Sequence, residues 1–167
     1  MNFREIFEMQ KELDKKISER NDIDASNSKI SANQFRIMQI LATLVETAEF
    51  ANEVQTFKYW KAKKNIDKDK ILEEFADILH FMGSFAYKYD VDPEIEPLII
   101  SNDVNYQICL LFQTISSMID NMNKYVILEI LAMTLGVAQL LGYTDEEIIK
   151  WYYVKNKKNH ERVENKY

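Results

Sequence analysis

FRIMQILATLVETAEFANEV at residues 35–54 and KILEEFADILHFMGSFAY at residues 70–87 are the stretches that decide how this chain folds. Apolar residues recur through both at three- and four-residue intervals and no proline interrupts them, so each reads as a long helix. Two acidic couplets are set into these helices, Glu46 with Glu49 and Glu74 with Asp77. The i,i+3 spacing places both carboxylates of a couplet on one helix face. Four carboxylates among Leu, Ile and Phe repel one another and resist desolvation. A hard cation such as Mg²⁺ relieves both penalties, because it takes oxygen ligands and tolerates bound phosphate. Metal-dependent phosphate chemistry is one reading of the couplets. Two solvated faces, as in a non-enzymatic helical interaction protein, is the other.

Working outward, only three glycines and two prolines interrupt 167 residues that are 47% hydrophobic. That composition favours long helices over a turn-rich sheet and is enough for one cored domain over residues 1–167. A net charge of −6 argues against general nucleic-acid binding. Cys109 is the sole cysteine and lies in an apolar run, so no disulfide framework exists and the chain suits a reducing, cytoplasmic setting. The N-terminal MNFREIFEMQKELDKK is charged throughout, unlike a signal peptide, and no run of about 18 uncharged apolar residues predicts a membrane partner.

Six helices are predicted in an all-α bundle. The first runs from Phe3 to about Arg20 and ends in the polar NDIDASNSK of residues 21–29. The second opens at Ser31 and reaches about Phe57; the third, capped by Asp67, reaches about Tyr89. Asp92-Pro93 and Pro97 mark a hinge. Ser101 or Asn102 opens the fourth helix, Lys124 to Leu141 forms the fifth before Gly142, and Thr144 with Glu147 makes a capping box for the sixth. The sequence from Lys155 is too polar for a core and predicts a mobile basic tail. Apolar residues around much of the third helix, and along the fourth and fifth, exceed what a small monomer covers and predict a homodimer.

If the second and third helices are antiparallel neighbours, Glu46, Glu49, Glu74 and Asp77 come together around Mg²⁺. Lys58, Lys61, Lys63 and Lys64 follow the first couplet and suit phosphate oxygens, as does a second basic set at Lys150, Lys155, Lys157, Lys158, Arg162 and Lys166. Trp60 and Tyr59 read either as ring packing or as a ligand contact. His80, one turn beyond Asp77, approaches the same pocket or is a packed core histidine. Gln10, Asn105 and Gln107 are amides beside apolar stretches; each suits a pyrimidine edge or a structural network.

With these residues in view, the sequence resembles the dimeric all-α dUTPase family, within the broader MazG-like nucleotide pyrophosphatases. The family's E-x-x-E and E-x-x-D stand here as Glu46-Thr47-Ala48-Glu49 and Glu74-Phe75-Ala76-Asp77. NEVQTFKYWK at 52–61 resembles the family segment after the first couplet, and YYVKNKKNHERVENKY its phosphate-closing terminus, through Lys155, Asn156, Asn159 and Arg162. Val163 departs from the polar residue more usual there. The resemblance implies Mg²⁺-dependent hydrolysis of dUTP, and of dUDP, to dUMP by a homodimer. It also implies metal ligation by the four acids and uracil recognition by Gln10 and Asn105.

Overall fold

The computed structural model describes residues 1–20 and 30–165; the polar linker at 21–29 and Lys166 lie outside the described residues. Six helices are present there: α1 Arg4–Ser18, α2 Ala32–Val54, α3 Lys68–Lys88, α4 Val104–Ser117, α5 Lys124–Leu140 and α6 Asp145–Glu164. The expectation of an all-α bundle holds. Five of these six helices start where a polar side chain at the N-cap satisfies free N–H groups of the first turn; α1 starts at Phe3 without such a cap. Ser31 and Gln34 form a reciprocal box on α2, and Thr144 and Glu147 do so on α6. Asp67, Asp103 and Asn123 accept from the first turns of α3, α4 and α5. The cap of α4 is thus Asp103, not Ser101 or Asn102, because its carboxylate reaches the amides of both Asn105 and Tyr106.

The second helix stops at Val54, short of the expected Phe57. Gln55 takes a left-handed φ of 61° and its side-chain amide donates to Asn65 O at 2.7 Å, fastening the connector back on the helix end. The proline-marked hinge proves to be a seat for the N-terminus: the Met1 amino group donates to Ile95 O at 2.8 Å and Phe3 N donates to Pro93 O at 2.8 Å.

The centre of the bundle is α3, which packs against α1, α2, α5 and α6. Its apolar circumference, including Ile71, Leu72, Phe75, Ile78, Leu79, Met82 and Phe85, is buried within the chain. The fifth helix is likewise buried through Ile127, Ile130, Leu131, Met133 and Leu135. These helices therefore do not supply the surface expected to require a partner. The exposed apolar stripe is instead on α2, where Phe35, Met38, Leu41 and Val45 are 47, 53, 60 and 46% exposed.

The sixth helix corrects a second expectation. It continues unbroken through Lys155 to Glu164, with Lys155 and Asn156 buried, in place of an unpacked tail starting at 155. A polar residue packs when its charge or amide is met by a partner, and acids on α3 meet Lys155. Among the described residues no single helix is long and apolar enough to cross a membrane. Cys109, though in an apolar run, is exposed.

Candidate active site

The antiparallel packing of α2 on α3 converts two sequence couplets into a cluster. Glu46, Glu74 and Asp77 each place a carboxylate oxygen within 4.8 Å of the other two. Burial raises the Glu46 pKa to about 7, with the charges of Asp77, Glu49 and Glu74 adding to the effect. Burial likewise raises Glu74 and Asp77. Crowded, half-buried carboxylates with raised proton affinity are the donor set expected of a hard divalent cation, so the residues present fit Mg²⁺. Glu49 is exposed and stands outside the group of three, close enough for its charge to act on Glu46 and Glu74.

Two members of the cluster, Glu46 and Asp77, line a cavity of about 1250 Å³ together with Gln10, His80, Asn159 and Arg162. Four helices contribute those residues, so candidates separated by up to 152 positions, from Gln10 to Arg162, share one wall. On α6, Arg162 donates to Asn159 Oδ1 at 3.2 Å. Lys155 is buried with Nζ 2.6 Å from Asp77 and 3.1 Å from Glu73, while Lys158 reaches Glu73 at 2.8 Å. Burial works against the Lys155 ammonium, but hydrogen bonds and charge from Asp77 and Glu73 outweigh it and raise its pKa.

Gln10 lines the same cavity in a saturated network. Its Nε2 donates to Asp14 Oδ1 at 2.7 Å and Ser84 Oγ at 3.2 Å. Asp14 accepts only, which fixes the amide with Oε1 facing away. That oxygen receives Tyr152 OH at 3.0 Å and faces His80 Nδ1 at 2.7 Å. His80 therefore carries its proton on Nδ1. Burial depresses its pKa to about 3, leaving a neutral ring stacked on Tyr152 with centroids 4.4 Å apart. Asp14 also accepts from Ser84 and Tyr87, at 2.7 and 2.9 Å.

The remaining candidates are placed elsewhere. Lys58 caps α2, its ammonium donating to Asn52 O at 2.8 Å. Trp60 and Lys61 are exposed in the connector, where Trp60 meets Phe57 and Tyr59 edge to face. Asn105 sits in the first turn of α4, a helix packed on α2 and α5, and does not line the cavity. Gln107 has a structural use: Oε1 accepts from Ile100 N and Ser101 N, and Nε2 donates to Leu98 O, pinning the loop before α4.

Two residues at the site went unread in the sequence, Glu73 and Asp14. The signal was present as spacing. Glu73, Asp77, His80 and Ser84 follow one another at four, three and four residues on α3, and Gln10 and Asp14 are i,i+4 on α1.

A family model described as dUTPase matches residues 2–167. The chain belongs to the all-α dUTPase family. No curated protein sequence matches it. Membership makes the chain a hydrolase of the nucleotide pyrophosphatase type.

Proposed function

We propose that the protein hydrolyses dUTP, and dUDP, to dUMP with Mg²⁺ held by Glu46, Glu74 and Asp77 and by Glu49 as a fourth acid. The observation that carries this reading is the convergence of three carboxylates, two of which line a cavity also lined by amides and a neutral histidine. When bound, Mg²⁺ supplies charge neutralisation at phosphate oxygens and a lowered pKa for an adjacent water. Glu49, exposed beside the cluster, takes the proton of the attacking water as general base. Arg162 and Asn159 orient phosphate oxygens from α6, with Lys155 and Asn156 beside them, and the Arg162 fork gives directional contacts that an ammonium does not.

The base lies toward the Gln10 wall in this reading. Because all four hydrogen-bonding positions of the Gln10 amide are occupied within the protein, Gln10 shapes the pocket mainly by fixing His80. Asn105, Lys58, Trp60 and Lys61 contact substrate in the homodimer, whose joining surface is the apolar stripe of α2. Domain-wide cytoplasmic action and closure by the end of α6 belong to the same proposal.

The decisive measurement compares turnover of dUTP, dTTP, dCTP and UTP with Mg²⁺ and with chelator. Turnover of dUTP that strongly exceeds the others and vanishes with chelator is expected. Rejection of dTTP requires steric exclusion of the 5-methyl group, and rejection of UTP requires exclusion of the 2′-hydroxyl. Comparable rates across the four nucleotides would mark a broader pyrophosphatase. Undiminished turnover in chelator would remove the metal from the mechanism.

A further inference from the structure

The last helix carries a cation into the acidic cluster. Lys155 Nζ lies 2.6 Å from Asp77 Oδ2 and 3.1 Å from Glu73 Oε1, and its side chain is only 7% exposed. Asp77 belongs to the group of three converging carboxylates, whereas Glu73 does not. The ammonium therefore straddles the edge of the site, with one contact inside and one outside. Lys158 approaches the same Glu73 oxygen at 2.8 Å from the more exposed side.

Three half-buried acids without a counter-charge are costly, and Lys155 supplies that charge from a helix some eighty residues away. An ammonium and a divalent cation seek the same carboxylate. With Nζ at hydrogen-bonding distance from Asp77 and Mg²⁺ at about 2.1 Å from that group, two cations would face each other across a few ångströms. One of them must yield. A lysine has four rotatable bonds and a second acceptor already in place, so it yields without losing all its partners.

We propose that Lys155 is the built-in counter-ion of the metal-free site, displaced from Asp77 when a divalent cation binds, and that Glu73 is the positioning residue that retains it. The proposal rests on the reading of the cluster as a metal site. It gives Glu73, which lies outside both acidic couplets, a defined task. It also explains why a lysine in an otherwise polar helix end is buried. After displacement the ammonium stays at the rim of the site, tethered to Glu73 and free of the metal's ligand.

The test is Mn²⁺ binding, followed by electron paramagnetic resonance and calorimetry on the full-length protein without nucleotide. Five proteins are compared, among them wild type, Lys155→Met, Glu73→Gln and the Lys155→Met/Glu73→Gln double variant. Lys155→Gln, which keeps a polar group in the buried position, is measured beside Lys155→Met. Removing the competing ammonium should tighten Mn²⁺ binding by roughly tenfold or more. Glu73→Gln should weaken it severalfold when Lys155 is present, because the displaced ammonium loses its acceptor, and have little effect when Lys155 is absent. This coupling separates an exchanging pair from independent distant charges, whose effects add. In chelator, the Lys155 variants should unfold at lower temperature than wild type.

Unchanged or weaker Mn²⁺ binding in both Lys155 variants would show that ammonium and metal share Asp77 and would overturn the exchange. An equal Glu73→Gln effect in both backgrounds would reduce Glu73 to a remote charge and overturn its positioning role. Absence of Mn²⁺ binding in every protein would overturn this proposal together with the metal site. Failure to hydrolyse dUTP while the coupling persists would refute the proposed substrate alone.

Discussion

Gln10 Oε1 and His80 Nδ1 lie 2.7 Å apart, joining the first helix to the third through a buried hydrogen bond. Gln10 is oriented by Asp14, so the tautomer of His80 is decided by a carboxylate that does not touch it. The expected outcome is a neutral His80 protonated at Nδ1 from pH 5 to 8, read from its ¹⁵N shifts. Its folded pKa of about 3 is below the ordinary 6.5, so this group contributes stability above pH 6.5 that is lost as pH falls toward 3. Gln10→Leu leaves Asp14, Ser84, His80 and Tyr152 short of partners and should cost roughly 2–4 kcal/mol in urea unfolding. An imidazolium signal at pH 6 in the folded protein would contradict this account.

Glu46 bears the opposite dependence. Its folded pKa of about 7 exceeds the ordinary 4.5, so the metal-free fold binds a proton that the unfolded chain releases. Stability from this group is present below pH 4.5 and is lost as pH rises through 7. Because His80 acts in the other direction, the difference between wild type and Glu46→Gln isolates the effect. In chelator, Glu46→Gln should be more stable than wild type at pH 8 and nearly equal to it at pH 5, by thermal unfolding. A constant difference across that range would mean that Glu46 titrates normally.

Glu49→Gln keeps nearly the same helix propensity at an exposed position, so the fold should persist. Turnover of dUTP should drop by about 10²-fold or more, with the loss in kcat, if Glu49 acts as general base. Wild-type kcat in a folded variant would take Glu49 out of the reaction.

Leu41 stands 60% exposed between Met38 and Val45 on the open face of α2. Light scattering of the wild type at micromolar concentration should give the dimer mass, and Leu41→Glu should shift it to the monomer by placing a charge in the apolar stripe. A monomeric wild type would remove the homodimer and leave the catalytic proposal intact.

Gly136 is required by a close approach of chain segments. A Cβ there would fall 2.2 Å from Leu98 O, whose residue also donates its amide to Ala132 O at 2.8 Å. Gly136→Ala should destabilise by about 2 kcal/mol or more, because backbone must move and not merely a flexible side-chain end. A wild-type melting temperature would show that the loop at Leu98 gives way freely.

Helix positions and the acidic pairs follow from local chemistry along the chain. Ser31 with Gln34, and Thr144 with Glu147, announced two helix starts because capping is local chemistry between residues three apart. Glu46, Glu49, Glu74 and Asp77 were legible because i,i+3 spacing fixes a common face before any packing occurs. The apolar breadth of α3 was legible as well, but not its consequence: whether that surface meets other helices of the chain or a second protomer depends on packing.

Tertiary structure alone decided the rest. Lys155 and Asn156 continue the face of Ile148 and Tyr152 on α6, yet their polarity reads as solvent exposure until α3 brings Asp77 and Glu73 opposite. Gln10 reads as a free amide until Asp14, Ser84, His80 and Tyr152 occupy it. Periodicity reports which residues share a helix face; it does not report what faces them. Burial of a charge or an amide is determined by partners distant in sequence, and here those partners are assembled only when α1 and α6 close on α3.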